Sequence, residues 1–222
     1  MFIGMGMPIP DLSNLAGPSR PGGGGGAFEY TAIDNSFSME FDGASDSHYI
    51  IPSDTFTANN SGFSLCFWYY KTAYQTGMVI SKTPQNFEVY THVNGNALWT
   101  YFAVLSANTN KIPVVLNSWQ HICYVVSATD CKGYQNGELT VENTFASTPN
   151  YTNQSSDIYL GSRGGTSQSS DITLDEVAFF NSELSDKTIK AIYDVTANNP
   201  GKVANLSETP EGAPAAWYRM GD

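Results

Sequence analysis

The sequence predicts an all-β protein: an antiparallel two-sheet sandwich or jelly roll, with one short C-terminal helix and an extended N-terminal arm. Three observations carry that prediction. Apolar residues recur with period two through most of the chain, Asn-Gly turn signals separate the runs, and helical spacing appears once, after Phe180.

The arm comes first. Pro8, Pro10, Pro18 and Pro21 lead into the run Gly22 to Gly26. Proline favours extended backbone and a glycine run has no packing preference, so this stretch cannot build a core. Met5, Met7, Ile9 and Leu12 are anchors that a pure spacer would not need, and they point to an arm that orders against a partner. The expected division is an arm over 1–30, a sandwich over 31–197, and an extension over 198–222 ending in a strand packed on the sandwich.

The strands follow. In SFSMEFDGAS, Phe37, Met39 and Phe41 point one way and Ser38, Glu40 and Asp42 the other. In GFSLCFWYY both faces carry large groups, as in a central strand covered on both sides. MVISK, NFEVYTHV, ALWTYFAVL, SWQHICYVV, DIYLGS and ITLDEVAFF continue the series. Asn59 to Gly62, Asn94-Gly95-Asn96, Asn136-Gly137 and Gly161 to Gly165 supply the turns between them. At least eight short strands at hairpin spacing require two packed antiparallel sheets.

The helix closes the series. Ser185 is placed as N-cap, with Asp186 in the first turn, where the helix dipole favours an acid. Leu184 and Ile189 stand at staple positions, and Ile189, Ile192 and Tyr193 form one apolar stripe. Asn198, Asn199 and Pro200 end the helix, which is too short to stand without docking.

Charge excludes several functions. Against 21 acidic residues there are 10 basic ones, none clustered, for a net charge of -11. Phosphate backbones need clustered Lys and Arg, so no nucleic-acid partner is expected, and anionic membranes are disfavoured for the same reason. No apolar stretch approaches the roughly 20 residues of a membrane span, so no membrane insertion is expected. The start of the chain lacks a basic region before its apolar residues and does not read as a secretory signal.

Reactive groups are sparse. A nucleophilic triad would have to use His48, His92 or His121, and His121 reads as a structural histidine beside Trp119 and Cys123. Cys123 and Cys131 suggest themselves as a bridged pair, against the alternative of buried thiols for all three cysteines. Their spacing matches no zinc pattern. The glycine run lacks the Lys-Ser/Thr of a phosphate loop. No enzyme and no required cofactor are expected. Trp99 and Tyr101, two apart on one strand face beside Asn94 and Asn96, form a candidate glycan site; Trp68, Trp119 and Trp217 read as core.

SMEFDGASDSHYIIP, GFSLCFWYY, NSWQHICYVV, YQNGEL, IYLGSRGG and LDEVAFFNSELSDKTIKAIYD, in that order, resemble the laminin-G-like jelly rolls of the concanavalin A-like lectin/glucanase superfamily. The resemblance covers about residues 37–195. It implies that the helix covers an edge of the sandwich. It also implies a structural calcium between first and last strands, with Asp175 as ligand, Asp42 or a carbonyl near Gly43 as partner and Asp46 as a further candidate, against the alternative that Asp175 only accepts hydrogen bonds from backbone. Glucanases of the superfamily use a Glu-x-Asp-x-x-Glu strand. Here Glu40-Phe41-Asp42 begins such a pattern, but Ser45 stands at the third carboxylate, so a glycoside hydrolase is not expected.

The chain ends carry a second resemblance. MGMPIPDLSNLAGPSRPGGGGG and the terminal AWYRMGD look like segments of structural proteins of marine tailed phages, in which a laminin-G-like module often follows such an arm. That resemblance implies a virion protein, assembled in the host cytoplasm as capsid decoration or tail appendage. Its partners would be other virion proteins held through the arm, further copies of itself (trimers are common for such attachments), and host glycans. A free carbohydrate-binding lectin is the alternative.

Overall fold

The computed structural model describes residues 28–59, 61–82, 87–92, 96–102, 111–149, 151 and 155–221. The anchors Met5, Met7, Ile9 and Leu12 lie outside the described residues. The strands are β1 (Ala32–Asp34), β2 (Met39–Asp42), β3 (Tyr49–Ile51), β4 (Phe63–Tyr70), β5 (Gly77–Lys82), β6 (Phe87–Thr91), β7 (Ala97–Phe102) and β8 (Ile112–Pro113). They continue as β9 (Gln120–Val126), β10 (Asp130–Gln135), β11 (Glu138–Thr144), β12 (Ile158–Leu160), β13 (Asp171–Phe180), β14 (Lys202–Ala204) and β15 (Ala216–Tyr218), with helix α1 (Asp186–Asn198) between β13 and β14.

Two antiparallel sheets face each other. One runs β3-β12-β5-β6-β7-β8, and the other β11-β10-β9-β4-β13, with β2 and β15 sharing the far edge of β13. The strand alternation read from the sequence builds the layer between them, where Phe56, Phe63, Phe87, Phe102, Tyr124 and Phe179 are buried. The central strand β4 is covered on both faces: Phe63, Leu65, Phe67 and Tyr69 enter this core, while Cys66 joins a second layer. Asn136 and Gly137, with φ of 53° and 80°, make the tight turn between β10 and β11.

The second layer lies under α1. Ile189 and Ile192 pack with Leu184 onto Cys66, Cys123, Val125, Ala178 and Phe180. The helix therefore covers the outer face of the seven-stranded sheet rather than an edge, because the outward positions of β4, β9 and β13 are apolar there. Its N-cap is Ser185, whose side chain accepts the Thr188 N–H. Glu211, from the chain after the helix, also accepts the Ser185 N–H at 3.0 Å.

The cysteines pair differently from the sequence reading. Cys66 and Cys123 form the disulfide. They sit directly opposite each other on β4 and β9. Cys131 is buried in the layer between the sheets, whereas Cys123 faces α1. Register pairs Cys123 with Tyr134 and Cys131 with Val126, so the two cysteines lie on opposite faces of one sheet despite their closeness in sequence, and no bridge can form.

The corner LDEV departs from simple alternation as well. A bulge interrupts β13 between Asp175 and Ala178, with Glu176 at φ 51°. It falls where β13 exchanges one neighbour for another: β2 pairs with 171–174 and β15 with 177–179. Both acids turn inward, Asp175 at 0% and Glu176 at 4% exposure.

Candidate functional site

The outer face of the six-stranded sheet carries the site. Alternation aims Glu88 and Tyr90 of β6 outward beside Tyr101 and Trp99 of β7, and the register places Glu88 opposite Tyr101 and Tyr90 opposite Trp99. The sequence-predicted pair Trp99/Tyr101 does share a face, and both rings are half-buried. Asn96 is exposed at the start of β7, and its carbonyl accepts the Val114 N–H. Asn94 lies outside the described residues.

Trp99 is not bare. The His92 ring stacks on it at 3.7 Å and 9°, and the Lys111 ammonium lies 4.5 Å from the indole centre. A flat imidazole at that distance leaves no room for an ammonium on its own side, so the two cover opposite faces of the indole. Trp99 therefore braces His92, and it is His92 that meets the adjoining cavity.

That cavity, about 300 Å³, is open and lined by Thr76, Met78, Glu88, Tyr90, His92 and Arg163, among others. Its far wall is the loop 161–170, which is tied to β5 along its length. Gly161 N–H donates to Val79 O at 2.9 Å and Met78 N–H to Gln168 O at 2.7 Å, and Ser81 Oγ donates to Ser162 O at 2.9 Å. The tip turns through Gly164 and Gly165 at φ 61° and 75°, a region open to glycine. A Cβ on Gly165 would also stand 3.0 Å from the Tyr159 ring. The GSRGG segment is thus a rigid bracket, and what it presents is Arg163.

Arg163 reaches across to β6. Its Nε donates to Glu88 Oε1 at 2.8 Å, and a second guanidinium nitrogen stands 2.7 Å from the same oxygen. Glu88 is 5% exposed. Burial, and then the Glu88 charge, push the Tyr90 phenol up, so Tyr90 is a neutral hydrogen-bonding group. Aromatic walls beside a carboxylate and a guanidinium suit a ligand with apolar faces and hydroxyl edges. The sequence reading missed Glu88, Tyr90 and Arg163, and weighed His92 only for a nucleophilic triad. The alternation of NFEVYTHV was the available signal for Glu88, Tyr90 and His92; nothing local marked Arg163 as their neighbour.

The calcium set does not assemble. Asp175 Oδ2 accepts from Asn35 Nδ2 at 2.8 Å, and its Oδ1 from the Glu176 N–H at 2.8 Å. Asp42 pairs with Asp171 at the start of β13, four residues from Asp175, hence about 13 Å away along the strand. Ligands of one Ca²⁺ stand within roughly 5 Å of one another. Asp42 instead accepts the Ala44 N–H in its own turn, and Asp46 is exposed nearby. Among the described residues no group of three or more His, Cys, Asp or Glu is placed to hold a metal. The three acids do not fit one ion.

Glu176 serves the same corner. It accepts from Trp217 Nε1 at 2.6 Å and pairs with Arg219 at 3.3 Å, which ties the chain's end to β13. Trp217 is accordingly half-buried rather than core, while Trp68 and Trp119 are buried as expected. His121 is buried beside Trp68 at 5.3 Å. His48 lies near Tyr159 at 5.9 Å. Glu40 is exposed on β2, opposite Thr173.

Residues 42–190 match the profile of the family described as the concanavalin A-like lectin/glucanases superfamily. Among solved structures the chain is similar to the binding domain of Paraclostridial Mosquitocidal Protein 1, with TM-score 0.54 and 16% identity over 74% of this chain and 45% of that one. It is also similar to the receptor binding domain of botulinum neurotoxin C/D mosaic serotype, at 0.58 and 14% over 75% and 45%. The binding domain of Botulinum neurotoxin DC in complex with rat synaptotagmin II gives 0.56 and 15% over 75% and 45%. At such identities the likeness is one of fold, and the chain spans under half the length of these structures. Comparison with curated proteins gave no match.

Proposed function

We propose, for a chain that belongs to the concanavalin A-like lectin/glucanases superfamily, a non-enzymatic recognition role: a jelly roll that binds carbohydrate on the outer face of its six-stranded sheet. The observation that carries this reading is the cavity between β6 and the 161–170 loop, where His92, braced by Trp99, stands beside Tyr90 and the Glu88–Arg163 pair. Rigid rings hold the apolar face of a sugar, and a charged pair meets its hydroxyls. The carboxylate pattern Glu40/Asp42/Ser45 lacks the third acid of glucanase chemistry. The similar solved structures are binding domains, which supports the same class.

The body is displayed on a virion, as capsid decoration or tail appendage, through the arm over residues 1–30. The display form is a homo-oligomer, a trimer by analogy with such attachments, assembled in the host cytoplasm. This part of the reading rests on the arm's composition and its anchors Met5, Met7, Ile9 and Leu12.

Two experiments test it. Trp99→Ala, which removes the brace behind His92, is expected to weaken binding to an oligosaccharide ligand about tenfold, read by calorimetry. Unchanged affinity would remove the site. Deleting residues 1–26 is expected to leave a folded, sugar-binding body that no longer enters particles; normal incorporation would overturn the tether.

A further inference from the structure

We propose that Glu88, oriented by Arg163, is the group that reads the ligand, and that it selects an uncharged sugar presenting adjacent hydroxyls. This rests on the recognition role above and adds the ligand's chemical class.

Glu88 occupies an unusual position. It stands near the start of β6 on the outward face, between Ser81 of β5 and Tyr101 of β7, yet it is only 5% exposed. Arg–carboxylate pairs frequently form two parallel bonds, one to each oxygen. Arg163 directs both of its contacts to Oε1. Among the described residues no hydrogen bond reaches Oε2, and Glu88 lines the cavity. Oε2 is therefore the oxygen left for a donor that enters the cavity, while Arg163 fixes the carboxylate's orientation through Oε1.

The chemistry of that oxygen sets the ligand class. An ionised carboxylate only accepts, so the partner must donate, as a sugar hydroxyl does. Arg163, 34% exposed, keeps N–H groups for the oxygen of a neighbouring hydroxyl, which makes a vicinal pair the complementary edge. Uronic or sulfated sugars would bring an anion to a guanidinium already neutralised by Glu88, in a chain of net charge -11. A cavity of about 300 Å³ lies at the small end of ligand pockets and suits one or two sugar rings rather than a folded partner.

The test titrates the full chain with cellohexaose, mannohexaose and galactohexaose, and with a galacturonic acid hexamer and a sulfated hexasaccharide. A neutral probe is expected to bind and the two anionic probes not to. Glu88→Gln, nearly isosteric, is expected to weaken that binding about tenfold or more with the circular dichroism spectrum unchanged. Should that variant fail to fold, Arg163→Lys, which keeps the charge but loses the planar fork, is expected to weaken binding severalfold. Neutral binding lost in Trp99→Ala but retained in Glu88→Gln, or retained in Arg163→Lys where Glu88→Gln does not fold, would overturn this inference and leave the recognition role standing. So would preference for an anionic probe. Binding to no probe would overturn both.

Discussion

Phe63→Ala is expected to lower the free energy of unfolding by about 3–5 kcal/mol. Phe63 is fully buried on β4 and meets rings from several other segments: Phe56 at 5.6 Å, Phe87 at 6.1 Å, Phe102 at 6.0 Å and Tyr151 at 5.6 Å. Two of those neighbours, Phe87 and Phe102, belong to β6 and β7, the strands that carry the site on their other face. Truncation leaves a cavity where the two sheets meet, and surrounding rings fixed by their own strands cannot collapse into it. Urea unfolding reads this as a lower midpoint at unchanged slope. A loss under about 1 kcal/mol would mean that the aromatic cluster does not join the sheets as described.

Acid is the second large lever, through His121. Burial against Trp68 and α1 pushes the His121 imidazole down to about 4, from about 6.5 in an unfolded chain. A group whose folded value is depressed in this way contributes its stability above about pH 6.5, and loses it progressively as the pH falls through 4. The difference corresponds to about 3 kcal/mol, because charging the ring under the helix is far harder than charging it in water. Unfolding free energy measured from pH 7 to pH 4 should therefore decline, and His121→Gln should flatten most of that decline. An equally steep decline in the variant would assign the acid sensitivity to other groups.

The fold was legible because its signals are local. Alternation, the Asn136-Gly137 turn and the Ser185 cap each depend on a few neighbouring residues, and the structure places each of them as its local chemistry requires. Trp99 and Tyr101 could be assigned to one face for the same reason: parity within a single strand needs no tertiary knowledge. What lay beyond reach depends on distant residues meeting. Glu88 and Arg163 are 75 residues apart, and Cys66 and Cys123 are 57 apart. The stacking of His92 on Trp99 crosses from the end of one strand to the middle of the next. At Asp175-Glu176 a bulge suspends the alternation rule itself, so both acids are buried acceptors, for Asn35, Trp217 and Arg219. The calcium expectation stumbled on the same kind of distance, since it needed Asp42 and Asp175 at one level of β13.

The sugar site is tested most directly by heteronuclear NMR titration of the full isotopically labelled chain with whichever neutral hexasaccharide it binds. The predicted result is a set of saturable shift changes confined to Glu88, Tyr90, His92, the Trp99 indole and the 161–170 loop, with the helix side of the protein silent. Shift changes centred on α1 or on the β13 corner, with the outer face of β6 and β7 unmoved, would contradict it.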